Sequence, residues 1–145
     1  MWNWVVSGLM VGTPVILYEG NPFHPGPDRL WQMAEAERLT HMGVSAKYID
    51  AVRNAGYLPG QNVDLSALRM IMSTGSPLSA EAFEFIYRDV SPSLQLCSIS
   101  GGTDLISCFV LGTPTQPVHA GEIQSRGLGM AVEILCLLYT SPSPR

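Results

Sequence analysis

Two stretches decide the fold: Leu68-Arg69-Met70-Ile71-Met72-Ser73-Thr74-Gly75-Ser76-Pro77-Leu78-Ser79 and Leu94-Gln95-Leu96-Cys97-Ser98-Ile99-Ser100-Gly101-Gly102-Thr103-Asp104. Each is an apolar run suited to a strand, followed by a loop of glycines and hydroxyl side chains. Between them Ser79 is placed to cap a helix, with Phe83, Ile86, Tyr87 and Val90 at i, i+3, i+4 and i+7. In such a strand–loop–helix–strand unit a right-handed crossover sets the two strands side by side or nearly so. Both loops then lie beyond the carboxyl ends of the strands, where open parallel sheets bind ligands. Glycine lets a backbone approach a ligand closely. The Thr103 hydroxyl and the Asp104 carboxylate suit phosphate oxygen and Mg²⁺ respectively. A single glycine turn of this kind is usually a mere chain reversal. Two on one edge suggest a nucleotide cleft, with Gly75 to Pro77 against a flat base and Thr103 and Asp104 toward phosphate and metal.

Outward from these stretches the same alternation continues. Trp2 to Val11 predicts a packed helix and Val15 to Tyr18 a buried strand, ended by Glu19-Gly20-Asn21-Pro22. Pro22, Pro25 and Pro27 punctuate a loop, after which Asp28 can cap a helix reaching about Leu39. A short strand over Leu39 to Val44 leads to a helix over Ser45 to Ala55, with Tyr48, Ile49 and Val52 aligned and Gly56 closing it. Tyr57 to Ser66 reads as a polar loop. Ile106 to Leu111 predicts another strand, and Gly121 to Leu135 two more, broken at Gly127-Leu128-Gly129. The fold class is therefore α/β, a mainly parallel sheet flanked by helices. The last strands have no helices between them, which predicts an antiparallel portion.

Composition bounds the function. Hydrophobic residues make up 46% of the 145 and charged residues only 14%, so much of the chain expects burial. A net charge of −4 without any basic run excludes nucleic acid and anionic membrane as expected partners. Cys97, Cys108 and Cys136 show no C-x-x-C spacing, and read as reduced thiols in a cytoplasmic protein. The apolar stretch through Leu17 is interrupted by Gly8, Gly12 and Pro14 and lacks a cationic flank, so neither a secretory signal nor a membrane span is expected. The phosphate-binding patterns G-x-x-x-x-G-K-[ST] and G-x-G-x-x-G are absent, as is the G-x-S-x-G elbow. His24, His41 and His119 are scattered, with no carboxylate at metal-ligand spacing.

Composition shifts abruptly at Cys136-Leu137-Leu138-Tyr139-Thr140-Ser141-Pro142-Ser143-Pro144-Arg145. This string looks like the in-frame translation of a transposase adapter used in sequencing libraries. Residues 136–145 are accordingly read as non-native and set apart from the fold, and the native chain is expected to continue past Leu135.

Several separated segments carry a family resemblance. They are Trp2-Asn3-Trp4 with Ser7-Gly8-Leu9, Tyr18-Glu19-Gly20-Asn21-Pro22, Gly43-Val44-Ser45-Ala46-Lys47-Tyr48, Ser73 to Leu78, Ser98 to Asp104, and Gly121-Glu122-Ile123-Gln124 with Arg126-Gly127-Leu128-Gly129-Met130. In this order they resemble the acetoacetate–CoA ligase family within the adenylate-forming superfamily, over nearly all of residues 1–135. The resemblance implies a piece of the large, AMP-binding N-terminal domain of a two-step acid–thiol ligase. Its substrates would be acetoacetate, ATP and CoA, with Mg²⁺. By the family's pattern Gly75, Ser76 and Pro77 contact adenine, and Ser100, Gly101, Gly102 and Thr103 complete the ATP/AMP site. Thr103 meets the α-phosphate and Asp104 the Mg²⁺–phosphate unit, making these two the implied catalytic pair. Gly101 and Trp4 are implied in the acyl pocket.

The sequence departs from the wider superfamily in three places. Ser100 stands where an aromatic ring often lies against adenine. Asp104 replaces a Glu and is one methylene shorter. Gly101 replaces the Trp of acetate-restricted relatives, which opens the pocket to longer short-chain acids. The family's lysine-bearing phosphate loop would precede Met1, and its ribose-binding Asp and catalytic lysine would follow Leu135. Lys47, the sole lysine, matches neither. The polypeptide alone is therefore expected to be inactive without the remainder of its own chain. The alternatives are a ligase for another short-chain acid and a non-catalytic α/β nucleotide-binding module.

Overall fold

The structure, a computed structural model, describes residues 2–135, with only the backbone for residues 2–4. The adapter-like residues 136–145 lie outside the described residues.

The two opening stretches supply two adjacent strands, β2 and β3, of a three-stranded parallel sheet in the order β1-β2-β3, with β1 His41–Ser45, β2 Met70–Thr74 and β3 Gln95–Ser98. Register places Met42, Ile71 and Leu96 in one row and Val44, Ser73 and Ser98 in the next. These six side chains are all buried, so one face of the sheet is fully covered. Gly43, Met72 and Cys97 form a row on the opposite face.

Helices supply the cover. In α2, Arg29–Ala36, Trp31 and Ala34 are buried; in α3, Ala46–Asn54, so are Tyr48, Ile49 and Val52. The Ser45 hydroxyl accepts from the Tyr48 N–H at 3.1 Å and starts α3. In the helix between β2 and β3, which follows the four-residue α4, Pro59–Asn62, the Ser79 hydroxyl accepts from the Ala82 N–H at 3.2 Å and starts α5, Ala80–Phe85. Its last turn, Ile86–Val90, widens into a π-helix. Phe83, Ile86 and Val90 are buried as their spacing predicts, while Tyr87 is half-buried and its hydroxyl accepts the Leu96 N–H at 3.3 Å. Phe85 is buried as well, so the packed surface of this helix is wider than one stripe. Each such side chain fully removed from water contributes about 1.5–3 kcal/mol before the entropy of ordering it.

A second, antiparallel sheet follows: β4 Ser100–Gly102, β5 Ser107–Leu111 and β6 Ser125–Arg126. It meets the first at Gly112, where a Cβ would collide with the Cys97 sulfur and lie 2.9 Å from Gln124 Oε1. The expected antiparallel portion is thus present: the strand expected over Ile106 to Leu111 forms as β5, and its partner β4 comes from the glycine loop itself. The stretch 121–135 forms only the two-residue β6 among paired strands, instead of two full strands.

Other expectations fail for identifiable reasons. Val15 to Tyr18 is not a strand: its backbone has no ladder partner among the described residues, and Leu17 is 73% exposed. The first helix, α1 Trp2–Val11, forms and stops at Gly12, whose φ of +68° suits a helix terminus. Its end is not packed, since Leu9, Met10 and Val11 are strongly exposed. Asp28 begins α2 without a capping bond: its backbone is already helical (φ −80°, ψ −17°) rather than extended, and its carboxylate accepts from the Gln32 side chain at 2.6 Å. The loop after Tyr57 contains a helical turn, α4 Pro59–Asn62, on which Gly60 packs closely against the Val90 carbonyl.

Candidate functional site

Because β2 and β3 run parallel and in register, Ser73 opposite Ser98, their loops leave the sheet together. The Ile99 N–H donates to the Ser73 carbonyl at 2.8 Å and extends that pairing into the loops. Between them lies an open cleft of about 430 Å³, lined by residues 74–78 and 98–101 and by Gly121 and Ile123. That volume falls within the range of small-molecule sites.

On one wall, Gly75 has a φ of +91° with open space where a Cβ would be, so glycine is there for backbone conformation. Leu78, 4% exposed, anchors the far end of this loop in the core just before Ser79 starts α5. Glu81 follows in the first helical turn, and its own N–H with the Ser79 hydroxyl holds its carboxyl below the usual range. On the other wall the chain enters β4 directly, so the second glycine loop is one strand of a hairpin. Gly101 pairs with Cys108, and a Cβ at Gly101 would lie 2.6 Å from the Ser107 carbonyl oxygen and 2.8 Å from Cys108 Cα. The missing side chain therefore admits β5 as well as bordering the cleft. Gly102 faces open space.

Of the residues singled out in the sequence, Gly75, Ser76, Pro77, Ser100 and Gly101 come together around this cleft. Gly102, Thr103 and Asp104 do not line it; they continue from it into the hairpin turn between β4 and β5, where all three are exposed. The turn is closed by the Ile106 N–H donating to the Thr103 carbonyl at 3.2 Å. Ile106 has a φ of +49°, a conformation that strains a β-branched residue. The ion pairs among the described residues are Arg53–Asp50 and Arg88–Asp89, so Asp104 is engaged in neither. The Trp4 side chain lies outside the described residues.

The cleft also contains residues that sequence reasoning did not assign: Thr74, Leu78, Ser98, Ile99, Gly121 and Ile123. The first four flank the glycine loops and could have been found by extending each loop to its strand end. Gly121 and Ile123 arrive from a distant segment that the sequence marked only as part of the family resemblance, with no role assigned.

Three hydroxyl or indole groups are buried without a hydrogen-bond partner among the described residues: Ser73 Oγ, Tyr48 Oη and Trp31 Nε1. Burial, reinforced by Tyr57, Asp28 and Tyr18, pushes the Tyr48 phenol well above its ordinary range. Burial also raises the Cys97 thiol to about 11, and that of Cys108 upward. Both cysteines are free thiols. These thiols are therefore poor nucleophiles in the folded protein. Among the described residues no helix is long and apolar enough to cross a membrane.

The AMP-binding enzyme family matches residues 1–135. Acetoacetyl-coenzyme A synthetase of Rhizobium meliloti (strain 1021) is 57% identical over 134 residues, 92% of this chain and 21% of that protein. Acetoacetyl-CoA synthetase of Mus musculus is 45% identical over 133 residues, again 92% of this chain and 20% of that protein. The solved acetoacetyl-CoA synthetase from Streptomyces lividans superposes with a TM-score of 0.83 at 43% identity, covering 91% of this chain and 21% of that one. The chain thus spans about a fifth of the length of these relatives. With a family match over almost its whole length and the fold of a solved member, this chain belongs to the AMP-binding enzymes.

Proposed function

We propose that this chain supplies the adenylate-binding wall of an acetoacetate–CoA ligase acting in the cytoplasm. The observation that carries the reading is the shared cleft of Gly75–Pro77 and Ser100–Gly101, in a chain similar to acetoacetyl-CoA synthetases of two organisms. In the first step a carboxylate oxygen of acetoacetate attacks the α-phosphorus of ATP. The bond from that phosphorus to the bridging oxygen breaks, releasing pyrophosphate and leaving an acyl-adenylate. In the second step the CoA sulfur attacks the acyl carbon, AMP leaves with the bonding electrons, and the thiol proton is lost. The first step is needed because a carboxylate is a poor electrophile until it carries a good leaving group.

The residues divide this work by position. Gly75 to Pro77 offer backbone groups to adenine, and the exposed Thr103 hydroxyl, just past the cleft, can donate to the α-phosphate. Asp104 fits a magnesium site in which one carboxylate acts with substrate phosphates, because it is exposed and engaged in neither ion pair. Bound Mg²⁺ would offset the negative charge on the phosphates. Gly101 leaves the acyl side free of a bulky ring, which accommodates acids longer than acetate. Residues 136–145 take no part in this reading and are proposed to be non-native.

The test is pyrophosphate release by the full-length protein with ATP, Mg²⁺ and acetate, acetoacetate or butyrate in turn. The reading expects acetoacetate to give the highest kcat/KM. No acid-dependent release would overturn it, and a clear preference for another acid would overturn the substrate assignment. The chain of 145 residues by itself is expected to release none above a blank.

A further inference from the structure

The segment between β5 and β6 makes a long excursion, and one side chain gathers it. Gln124 Nε2 lies within hydrogen-bond reach of the carbonyls of Gln116 at 2.8 Å, Pro117 at 3.1 Å and Thr113 at 3.2 Å, which share its two N–H groups. Its Oε1 accepts from the Thr113 N–H at 3.0 Å and from Gln95 Nε2, across in β3, at 3.4 Å. Both ends of the amide are therefore used, and they bind the start of the excursion to its end. Gly112 makes this closeness possible, since a side chain there would meet both Gln124 Oε1 and the Cys97 sulfur. Immediately before Gln124, Gly121 and Ile123 emerge into the same cleft that the Gly75 loop lines.

Ile123 is 38% exposed, as a residue lining an open cleft would be. Ser100, which also lines the cleft, has no apolar face to offer. A flat base seated on the Gly75–Pro77 backbone would leave its other face in water unless another apolar group covers it. We propose that Ile123 is that group, the apolar wall against the nucleobase, and that Gln124 is the positioning residue that holds it there. This rests on the adenylate reading of the cleft. It adds a nucleotide-contacting residue from a segment remote from both glycine loops, and a reason for the Gln124 amide.

The experiment is steady-state kinetics on the full-length enzyme, with thermal melts to confirm folding. Ile123→Ala should raise the KM for ATP about three- to tenfold, the loss expected for a few half-buried methyl and methylene groups, with kcat within about twofold. KM for the acid and for CoA should not move, and Ile123→Leu should restore most of the ATP affinity. Gln124→Leu, similar in size but without the amide, should give the same ATP-selective rise. Gln95→Leu removes only the 3.4 Å link and should remain near wild type. An unchanged KM for ATP in folded Ile123→Ala would overturn the wall, as would a rise confined to the acid. A normal KM for ATP in folded Gln124→Leu would overturn the positioning role. If Gln124→Leu does not fold, the Ile123 pair still decides the wall. Absence of acid-dependent turnover in the wild type would instead remove the adenylate reading on which the proposal stands.

Discussion

Gly101 and Gly102 are neighbours with opposite surroundings, and replacing each by alanine separates two explanations of the glycine pair. At Gly101 a Cβ would lie 2.6 Å from the Ser107 carbonyl oxygen, 2.8 Å from Cys108 Cα and 3.3 Å from Cys108 Cβ. Two of these atoms are backbone and cannot rotate away, so β5 must shift against β4 at a place where the register is already irregular. Overpacking of this sort costs about 1–3 kcal/mol. At Gly102 no atom lies within 4 Å, and alanine there should stay within about 0.5 kcal/mol of wild type. The assay is thermal unfolding of the full-length protein, paired with pyrophosphate release on acetate and on acetoacetate. Gly101→Ala should melt lower and lose turnover on both acids together, while Gly102→Ala melts as wild type. If Gly101 served only to enlarge an acyl pocket, its alanine variant would melt normally and lose acetoacetate in preference to acetate. Equal melting of the two variants would refute the hairpin argument.

Three further outcomes are expected. Ser73→Ala removes a hydroxyl that is 0% exposed and without a partner among the described residues, and should stabilise the protein by about 1 kcal/mol in thermal melts; a lower midpoint would mean that the hydroxyl has a partner in solution. Gly75→Ala has space for the methyl group but not the backbone conformation, since φ is +91°. It should cost about 1 kcal/mol and weaken ATP binding by calorimetry, whereas wild-type values would contradict the assignment. Cys97, raised by burial from 9.0 to about 11, should resist thiol-labelling reagents at pH 8 when modification is mapped by mass spectrometry. Its folded pKa is the higher one, so its contribution to stability is complete below about pH 9 and is lost as pH climbs toward 11. Labelling of native Cys97 at pH 8 at the rate of an exposed thiol would contradict this.

Much of the first sheet was legible because its signals are local. Ser45 and Ser79 each bond a backbone N–H three residues on, and the apolar spacing after them specifies which face is buried. The loops at 75 and 101 were legible as neighbours because parallel pairing in register forces them to one edge. Val15 to Tyr18 misled because a β-favouring composition says what a segment tolerates, not whether a partner ladder exists beside it. The stretch after Gly121 misled similarly. The stretch read there as two strands is instead a segment whose fixed point is the Gln124 amide, bonded to carbonyls up to 11 residues earlier. Ile123 was invisible as a cleft residue for the same reason. The dual position of Gly101, bordering the cleft and crowded by β5, required the register of the hairpin.

The central claim is that the cleft between residues 74–78 and 98–101 holds the adenylate. A crystal structure of the full-length protein with a stable acyl-adenylate analogue tests it most directly. The account predicts adenine between Gly75–Pro77 and Ile123, the phosphate beside Thr103 and the acyl group toward Gly101. An analogue bound elsewhere, with this cleft left to solvent, would contradict it.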